Sequence, residues 1–310
     1  MSVRRFLRFR GFALALLALA LGLGLQSCGK DKKPGPPGPR GPQLTQVQTA
    51  AELETALIEA VAGDTIQVLP GLSGGEFRMA HGFTLKATQS PLLLIGDERS
   101  PVRPRIVFPD TANGLVIRGH TRVGGRETTI ENLDFDGGRN TLLLDNARVT
   151  VRGCTFRMSL FDGIYASGSG SDGTVELCYF EANGAFAVST HGGSRLTARR
   201  NTVLLAGDCG FYIDSNAVLT ANNIVQAHTY GIILQSGATA ADVRCNNAWQ
   251  SGSGTNYVSG SGFDFAGSKN YELNPQFCGA GLKTIKSGSP LAALNSDGCG
   301  TIGSFEIGCD

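Results

Sequence analysis

One short segment recurs six times between residues 130 and 249, and no other feature of the chain constrains its fold as strongly. Each copy ends in an apolar anchor residue, and the six anchors are Phe135, Phe156, Phe180, Val203, Val225 and Trp249. Successive anchors are 21 to 24 residues apart. A repeat of this length is typical of a β-solenoid, in which each coil of chain stacks on the coil before it.

A second β-rich run lies between successive anchors, at residues 142–144, 163–166, 186–188, 210–213 and 231–234. Gly, Ser, Asn and Asp residues separate the runs, as expected for turns between strands. All the runs are too short for an amphipathic helix. The sequence therefore predicts an all-β fold with at least two strands in each coil.

Stacking predicts which side chains are neighbours, because equivalent residues of adjacent coils lie about 4.8 Å apart. Two residues before the anchors, the column reads Leu133, Cys154, Cys178, Asn201, Asn223 and Asn247. We interpret it as an interior ladder whose amides satisfy one another. Four residues before the first four anchors, the charges alternate in the column Glu131, Arg152, Glu176 and Arg199. Such cross-strand pairs contribute about 0.2–1 kcal/mol each and penalise a register slip.

The first 27 residues have the composition of a signal peptide. Four arginines precede an apolar run at residues 12–25, which is shorter than the roughly 20 apolar residues of a membrane span. The run ends in Leu25-Gln26-Ser27-Cys28, which resembles the lipobox of bacterial lipoproteins. This resemblance implies cleavage before Cys28 and lipid attachment to its thiol, with simple secretion as the alternative. Residues 28–43 are rich in Pro and Gly and predict an extended linker between the lipid and the domain.

Charge excludes one class of partner. The chain has 27 Lys and Arg residues and 26 Asp and Glu residues, and removal of residues 1–27 takes away four Arg and no acid. Without a basic surplus, no nucleic acid is expected as a partner. We expect a monomer in the bacterial cell envelope, bound to the membrane through Cys28. Gly29, in place of Asp, favours the outer membrane in a host with two membranes.

Both ends of the remaining region, residues 44–310, resemble the pectate-lyase-like right-handed parallel β-helix proteins. Residues 50–60 have helical apolar spacing and are followed by a Gly63-Asp64 turn and a strand, as at the start of that family's domain. The closing segment, from Cys245 to Cys309, resembles that of exported bacterial members. The resemblance implies a single-stranded right-handed parallel β-helix with an N-terminal capping helix and a cysteine-containing C-terminal cap.

Four of the eight cysteines lie in this closing segment: Cys245, Cys278, Cys299 and Cys309. An exported protein can keep them oxidised, and two disulfides in any of three pairings are expected. Cys154 and Cys178 share a column and can form a disulfide or remain free thiols. Cys209 is expected to be a buried, unreactive thiol.

The resemblance implies polysaccharide as the partner, because this scaffold carries lyases, hydrolases and non-catalytic binding proteins. A hydrolase needs two close carboxylates. Polygalacturonase-like enzymes place two of them in adjacent positions, whereas this chain has Gly207-Asp208-Cys209. The preferred hypothesis is an envelope-anchored protein that binds polysaccharide without turnover.

A polysaccharide lyase is the alternative hypothesis. It needs a base and a group, often Ca²⁺, that neutralises the uronate carboxylate. An alignment of the turns before the second strand predicts one column with Asp162, Asn183, Asp208 and His228, with Tyr230 beside it. The candidate catalytic residues are therefore Asp162, Asp208, His228 and Tyr230. Asp and Asn before Gly are also common in ordinary turns, and no set of metal ligands is identified.

Overall fold

The computed structural model describes residues 40–71, 75–214, 216–279, 284–304 and 307–309. The predicted signal peptide, the lipid-attachment residue Cys28 and residues 29–39 of the linker lie outside the described residues. Residues Gly41–Asp310 belong to one compact unit.

Three parallel sheets, here called A, B and C, run along the solenoid, and successive coils contribute one strand to each. Sheet A contains β1 (Leu44–Val47), β2 (Thr65–Val68), β5 (Leu93–Gly96), β8 (Thr128–Glu131), β11 (Arg148–Arg152), β14 (Asp172–Glu176), β17 (Arg195–Arg199), β20 (Asn216–Thr220) and β23 (Thr239–Arg244). Sheet B contains β3 (Glu76–Arg78), β6 (Arg105–Phe108), β9 (Asp134–Gly137), β12 (Thr155–Arg157), β15 (Tyr179–Glu181), β18 (Thr202–Leu204), β21 (Asn223–Val225) and β24 (Asn247–Trp249). Sheet C contains β4 (Phe83–Leu85), β7 (Leu115–Arg118), β10 (Leu142–Asp145), β13 (Ile164–Ser167), β16 (Phe186–His191), β19 (Cys209–Ile213), β22 (Tyr230–Leu234) and β25 (Tyr257–Ser259). The closing segment adds the parallel pair β26 (Ile285–Lys286) and β27 (Ile307–Cys309).

A sharp bend divides each predicted anchor segment into a sheet A strand and a sheet B strand, so most coils have three strands. The bend residues have φ between 53° and 60°, and they are Asn132, Gly153, Leu177, Arg200, Ala221 and Cys245. Left-handed backbone of this kind is routine only for Gly and, to a lesser degree, Asn and Asp. Its recurrence in Leu177, Arg200, Ala221 and Cys245 shows that coil stacking imposes the bend on residue types that do not favour it.

The interior contains a column of stacked phenylalanines. The ring centroids of Phe135 and Phe156 are 5.3 Å apart, and those of Phe156 and Phe180 are 5.1 Å apart. The column continues through Val203, as predicted, and then through Ile224 and Ala248. The predicted anchors Val225 and Trp249 are therefore wrong by one residue. Both lie outside the main core, in a small apolar cluster with Phe277 of the closing segment.

An asparagine ladder lies inside the bend between sheets A and B. Its members are Asn201, Asn222, Asn246 and Asn270. The Nδ2 of each of the first three donates to the Oδ1 of the next asparagine at 2.9 Å. The predicted members Asn223 and Asn247 are wrong by the same one-residue shift, and they pair with each other at 3.0 Å. The alternating charge column from Glu131 to Arg199 is confirmed by the strand register.

Helix α1 (Ala50–Glu59) covers the first coil, as predicted. Thr49 and Glu52 form a capping box at its start, and Leu53 and Leu57 are buried in the main core. Two short 3-10 helices, Ala87–Gln89 and Ala266–Ser268, lie in connections. The cap therefore protects the apolar interior at the N-terminal end of the stack.

Two disulfides close the other end, Cys245–Cys299 and Cys278–Cys309. The first joins Cys245, at the last described bend between sheets A and B, to Cys299 further along the closing segment. Cys154, Cys178 and Cys209 are free and buried. Burial raises the pKa of the Cys154 and Cys209 thiols, which agrees with an unreactive role.

Candidate functional site

The turns that join sheet B to sheet C carry most of the predicted catalytic residues. Three of these turns have four residues each, at 182–185, 205–208 and 226–229. The preceding turn begins at Met158, and its Asp162 occupies the strand position equivalent to Phe186, because Ile164 pairs with Val188. The first residue of each turn has φ of 53° or 54°, in Met158, Ala182, Leu205 and Gln226. Equivalent turn positions can therefore be aligned residue by residue.

This alignment corrects the predicted column. Asn183 is the second residue of its turn, His228 the third and Asp208 the fourth. Among the predicted residues, Asp162 shares its column only with Tyr230. Phe186 and Cys209 occupy the two positions between them. Three coil steps separate Asp162 from Tyr230, about 14 Å. The prediction aligned the residues by the glycine that follows them, and that glycine does not occupy a constant position in the turn.

Glycines surround His228 in its own column. A Cβ atom on Gly207 would lie 2.0 Å from the carbonyl oxygen of Gly184, and one on Gly252 would lie 2.0 Å from the carbonyl oxygen of His228. These coils therefore approach too closely for side chains directed along the stack. His228 is exposed and Asp208 is half-buried. Neither side chain forms a hydrogen bond with another described residue.

Asp162 belongs to the outer face of sheet C. Its side chain is 4% exposed, and its Oδ2 accepts a hydrogen bond of 2.6 Å from the Ser189 hydroxyl. Burial raises the pKa of the Asp162 carboxyl, while the hydrogen bonds from Ser189 and the Phe186 amide act in the opposite direction. Asp162 is therefore a buried support beneath the surface that Ser189 and its neighbours form.

Four aromatic side chains form a row on this face, here called the aromatic row: Tyr165, Phe186, His191 and Tyr212. The His191 ring lies between the two tyrosines, with centroid distances of 4.7 Å to Tyr165 and 5.4 Å to Tyr212. Phe186 stacks on Tyr212 at 5.0 Å. All four side chains are half-buried. The rings of Tyr165, His191 and Tyr212 therefore stack along the solenoid axis, one from each of three successive coils.

Strand register explains how the aromatic row forms. Tyr165, Ser189 and Tyr212 are direct neighbours on adjacent strands and point outward. Ser189 is too small to fill the space between two tyrosine rings, and the imidazole of His191, two residues further along β16, occupies it. The signal in the sequence is the alternation in Ile164-Tyr165 and Phe211-Tyr212, with an inward apolar residue before an outward aromatic one. The sequence analysis did not identify this row.

Acidic groups accompany the aromatic row. The Nδ1 of His191 lies 3.8 Å from the Oδ2 of Asp214. Burial raises the pKa of Tyr165, and the charges of Asp162 and Asp214 raise it further, so its hydroxyl remains protonated and able to donate at neutral pH. Strands β13, β16, β19 and β22 contain no Lys or Arg. These four strands therefore combine half-buried rings and hydroxyls with nearby carboxylates and carry no Lys or Arg of their own.

Within the described ranges, no three His, Cys, Asp or Glu side chains converge as ligands of a metal ion. The Ca²⁺ of the lyase hypothesis stays a prediction. No helix in the described part of the chain is long and apolar enough to cross a membrane.

Sequence comparison agrees with this architecture. The model of the right-handed β-helix region matches residues 113–270, which is just over half of the chain and includes the whole aromatic row. The chain therefore belongs to the right-handed β-helix family. No curated protein has significant similarity to it.

Proposed function

We propose that this protein binds polysaccharide without turnover and that the aromatic row is its binding surface. The observation that carries the proposal is the stack of Tyr165, His191 and Tyr212, which advances along the solenoid axis at close to the coil spacing. A polysaccharide is itself a repeating chain. An extended sugar chain that lies along the axis would therefore meet equivalent contacts on successive coils.

The chemistry of the row suits a sugar chain. Sugars expose apolar C–H groups beside hydroxyls, and aromatic side chains with a polar tip can contact both. The Tyr165 and Tyr212 hydroxyls supply hydrogen bonds, and Asp214 supplies an acceptor at the edge of the row. Such a mixture of apolar area and a few polar groups is common in ligand sites.

The placement of the predicted catalytic residues favours binding over catalysis. A general base needs to reach the proton it removes, and a second group usually orients it. Asp162 and Tyr230 are separated by two intervening coils, and no described side chain orients Asp208 or His228 by a hydrogen bond. This distribution supports a surface that holds its ligand and leaves it intact.

Affinity electrophoresis tests the proposal. The purified protein is run through gels that contain neutral or acidic polysaccharides, together with Tyr212→Ala and the sheet A control Thr174→Ala. We expect the wild type and the control to be retarded by at least one polysaccharide. Loss of one aromatic contact should weaken retention about tenfold. Equal retardation of a folded Tyr212→Ala variant would exclude the aromatic row as the binding surface.

A polysaccharide lyase is the second candidate, and one observation favours it. His191 lies near the Asp214 carboxylate and between two phenol rings, so an imidazole that can serve as the base of uronate β-elimination lies beside a carboxylate. The edge residues Asp162, Asp208, His228 and Tyr230 remain the candidates from sequence, with Ca²⁺ as a possible partner of the substrate carboxylate.

Ultraviolet absorbance separates the two candidates, because β-elimination creates an unsaturated uronate. The protein is incubated with polygalacturonate, alginate and glycosaminoglycans, with and without Ca²⁺. Binding without turnover predicts no new absorbance on any substrate. Absorbance that is lost in His191→Ala or His228→Ala, with folding intact, would establish the lyase instead.

We also propose that the protein is a lipid-anchored monomer of the bacterial envelope, in the outer membrane where the host has two. The sequence around Cys28 supports this assignment. Metabolic labelling with a radioactive fatty acid should label the wild type and Cys209→Ser but not Cys28→Ser. Labelling of Cys28→Ser at the wild-type level would contradict it.

A further inference from the structure

A second candidate binding surface lies at the C-terminal end of sheet A, and it shares no residue with the aromatic row of sheet C. A cavity of about 610 Å³ opens where the outer face of sheet A meets the closing segment. Its charged lining residues are Glu176, Arg199, Arg200, Asp242, Arg244, Lys269 and Asp297. Cavities of this volume are typical of small-ligand sites.

The alternating charge column breaks at this cavity. From Glu131 to Arg199 every charge has a neighbour of opposite sign on an adjacent coil. The next two positions are Thr220 and Arg244. Arg199 and Arg244 therefore lie on either side of a neutral hydroxyl, two coil repeats or about 10 Å apart along the backbone. The alternation of opposite charges therefore ends where the cavity begins.

After ion pairing, two arginines and one carboxylate, that of Glu176, remain in the cavity lining, so one positive charge is in excess. Arg244 pairs with Asp242 at 3.2 Å, and Lys269 pairs with Asp297 at 3.1 Å. Arg199 and Arg200 form no ion pair with any described residue, and both are exposed. Exposed ion pairs are weak, so a ligand can displace them at little cost.

We propose that this cavity binds an anionic oligosaccharide through Arg199, Arg200 and Arg244. Guanidinium groups recognise carboxylates and sulfates with paired, charge-assisted hydrogen bonds. The spacing of Arg199 and Arg244 suits two anionic groups separated by an intervening sugar, whose hydroxyl can meet Thr220. The inference rests on the proposed function only in taking the ligand to be a saccharide, because the cavity shares no residue with the aromatic row.

The other arginines of sheet A explain why the site is confined to one end. Arg152 lies between Glu131 and Glu176, so its charge is compensated on both sides. Arg148 pairs with Asp172 at 3.3 Å. In both columns an acid separates the arginine from the next arginine: Glu176 precedes Arg199, and Asp172 precedes Arg195. Only at the cavity does the column offer two arginines without an acid between them.

Isothermal titration calorimetry tests the proposal with a galacturonate tetramer, a sulfated heparin-derived tetrasaccharide and a neutral cello-oligosaccharide. The variants are Arg199→Gln, Arg244→Gln and Arg200→Asn. Asn is chosen because residue 200 has φ of 53°, which Asn tolerates better than most residues. The matched control is Arg148→Gln, which removes an arginine of sheet A outside the cavity.

We expect at least one anionic tetrasaccharide to bind, and each cavity variant to weaken it about tenfold, as for a lost charge-assisted hydrogen bond. Arg148→Gln should bind like the wild type. Three outcomes would overturn the inference: neither anionic tetrasaccharide binds, the cavity variants bind like the wild type, or inorganic sulfate alone binds as tightly as the tetrasaccharides.

The aromatic-row variant separates this inference from the proposed function. Tyr212→Ala should keep its affinity for the anionic tetrasaccharide, because Tyr212 lies outside the cavity. If Tyr212→Ala loses that affinity and the arginine variants keep it, the aromatic row binds the anionic ligand and the cavity inference is wrong. If the arginine variants lose that affinity and Tyr212→Ala binds every polysaccharide like the wild type, the cavity inference is supported and the proposal for the aromatic row is wrong.

Discussion

The outer faces of sheets A and C share one coil geometry and differ in their chemistry. Sheet C displays the aromatic row and no Lys or Arg on its strands β13, β16, β19 and β22. Sheet A displays a column of threonines, Thr129, Thr150, Thr174 and Thr197, beside the alternating charges. The scaffold repeats a position once per coil, and the residue type in each column then determines which ligand that face can hold.

The largest effect should come from removing both tyrosines of the aromatic row. We expect Tyr165→Ala/Tyr212→Ala to lose about a hundredfold in polysaccharide affinity, since each ring contributes packing area and a hydroxyl. The matched sheet A variant Thr150→Ala/Thr174→Ala should bind like the wild type. Quantitative affinity electrophoresis measures both. Equal losses in the two variants would remove the distinction between the faces.

Salt should affect the two faces differently. Anionic ligands at the sheet A cavity depend on exposed charges, which salt screens over about 3 Å at 1 M and about 10 Å at 0.1 M. We expect calorimetry to show weaker binding of the anionic tetrasaccharide as salt rises. Binding of a neutral polysaccharide to the aromatic row should change little. A strong salt dependence of neutral binding would argue against ring contacts as its source.

Asp162 links the aromatic row to stability. Burial raises the pKa of this carboxyl, so the folded state binds its proton more tightly than the unfolded state does. Its contribution to stability is therefore fully present at low pH and is lost as the pH rises through the folded-state pKa. In urea unfolding, we expect Asp162→Asn to be more stable than the wild type at neutral pH. This gain in stability should be smaller at about pH 4.

The control for Asp162 is Asp172→Asn on sheet A. Asp172 is half-buried and ion-paired with Arg148, so its replacement should bring no gain at neutral pH. An Asp162→Asn gain that is the same at both pH values would contradict the role of burial.

The smallest effect is expected in the charge column of sheet A. Arg152→Ala removes an exposed arginine between Glu131 and Glu176 and should cost less than about 1 kcal/mol in the free energy of unfolding. Urea denaturation measures this cost. A loss of several kcal/mol would show that the column holds the coils together rather than only matching their register.

Sequence periodicity predicts much of this fold. The spacing of Phe135, Phe156 and Phe180 identifies the coil length, and the alternating charges identify the register of sheet A. The helix cap and the four disulfide cysteines can also be recognised. The coil length and the register are visible because they depend on residue type at a regular interval, whereas the cap and the cysteines are recognised by their resemblance to the ends of a known family.

Other features depend on geometry that residue type does not reveal. Leu177 and Arg200 adopt left-handed backbone only because neighbouring coils do, so the bend between sheets A and B is not visible in the sequence. Ile224 and Val225 are both apolar, and the pattern cannot tell which one points inward. The aromatic row depends on His191 lying across Ser189, which requires the strand register and the size of Ser189 together.

A crystal structure of the protein soaked with the tightest-binding oligosaccharide from the electrophoresis panel tests the central claim most directly. The account predicts an intact sugar chain along the axis of the solenoid, in contact with Tyr165, His191 and Tyr212. An oligosaccharide bound elsewhere, with these three rings left uncovered, would contradict it.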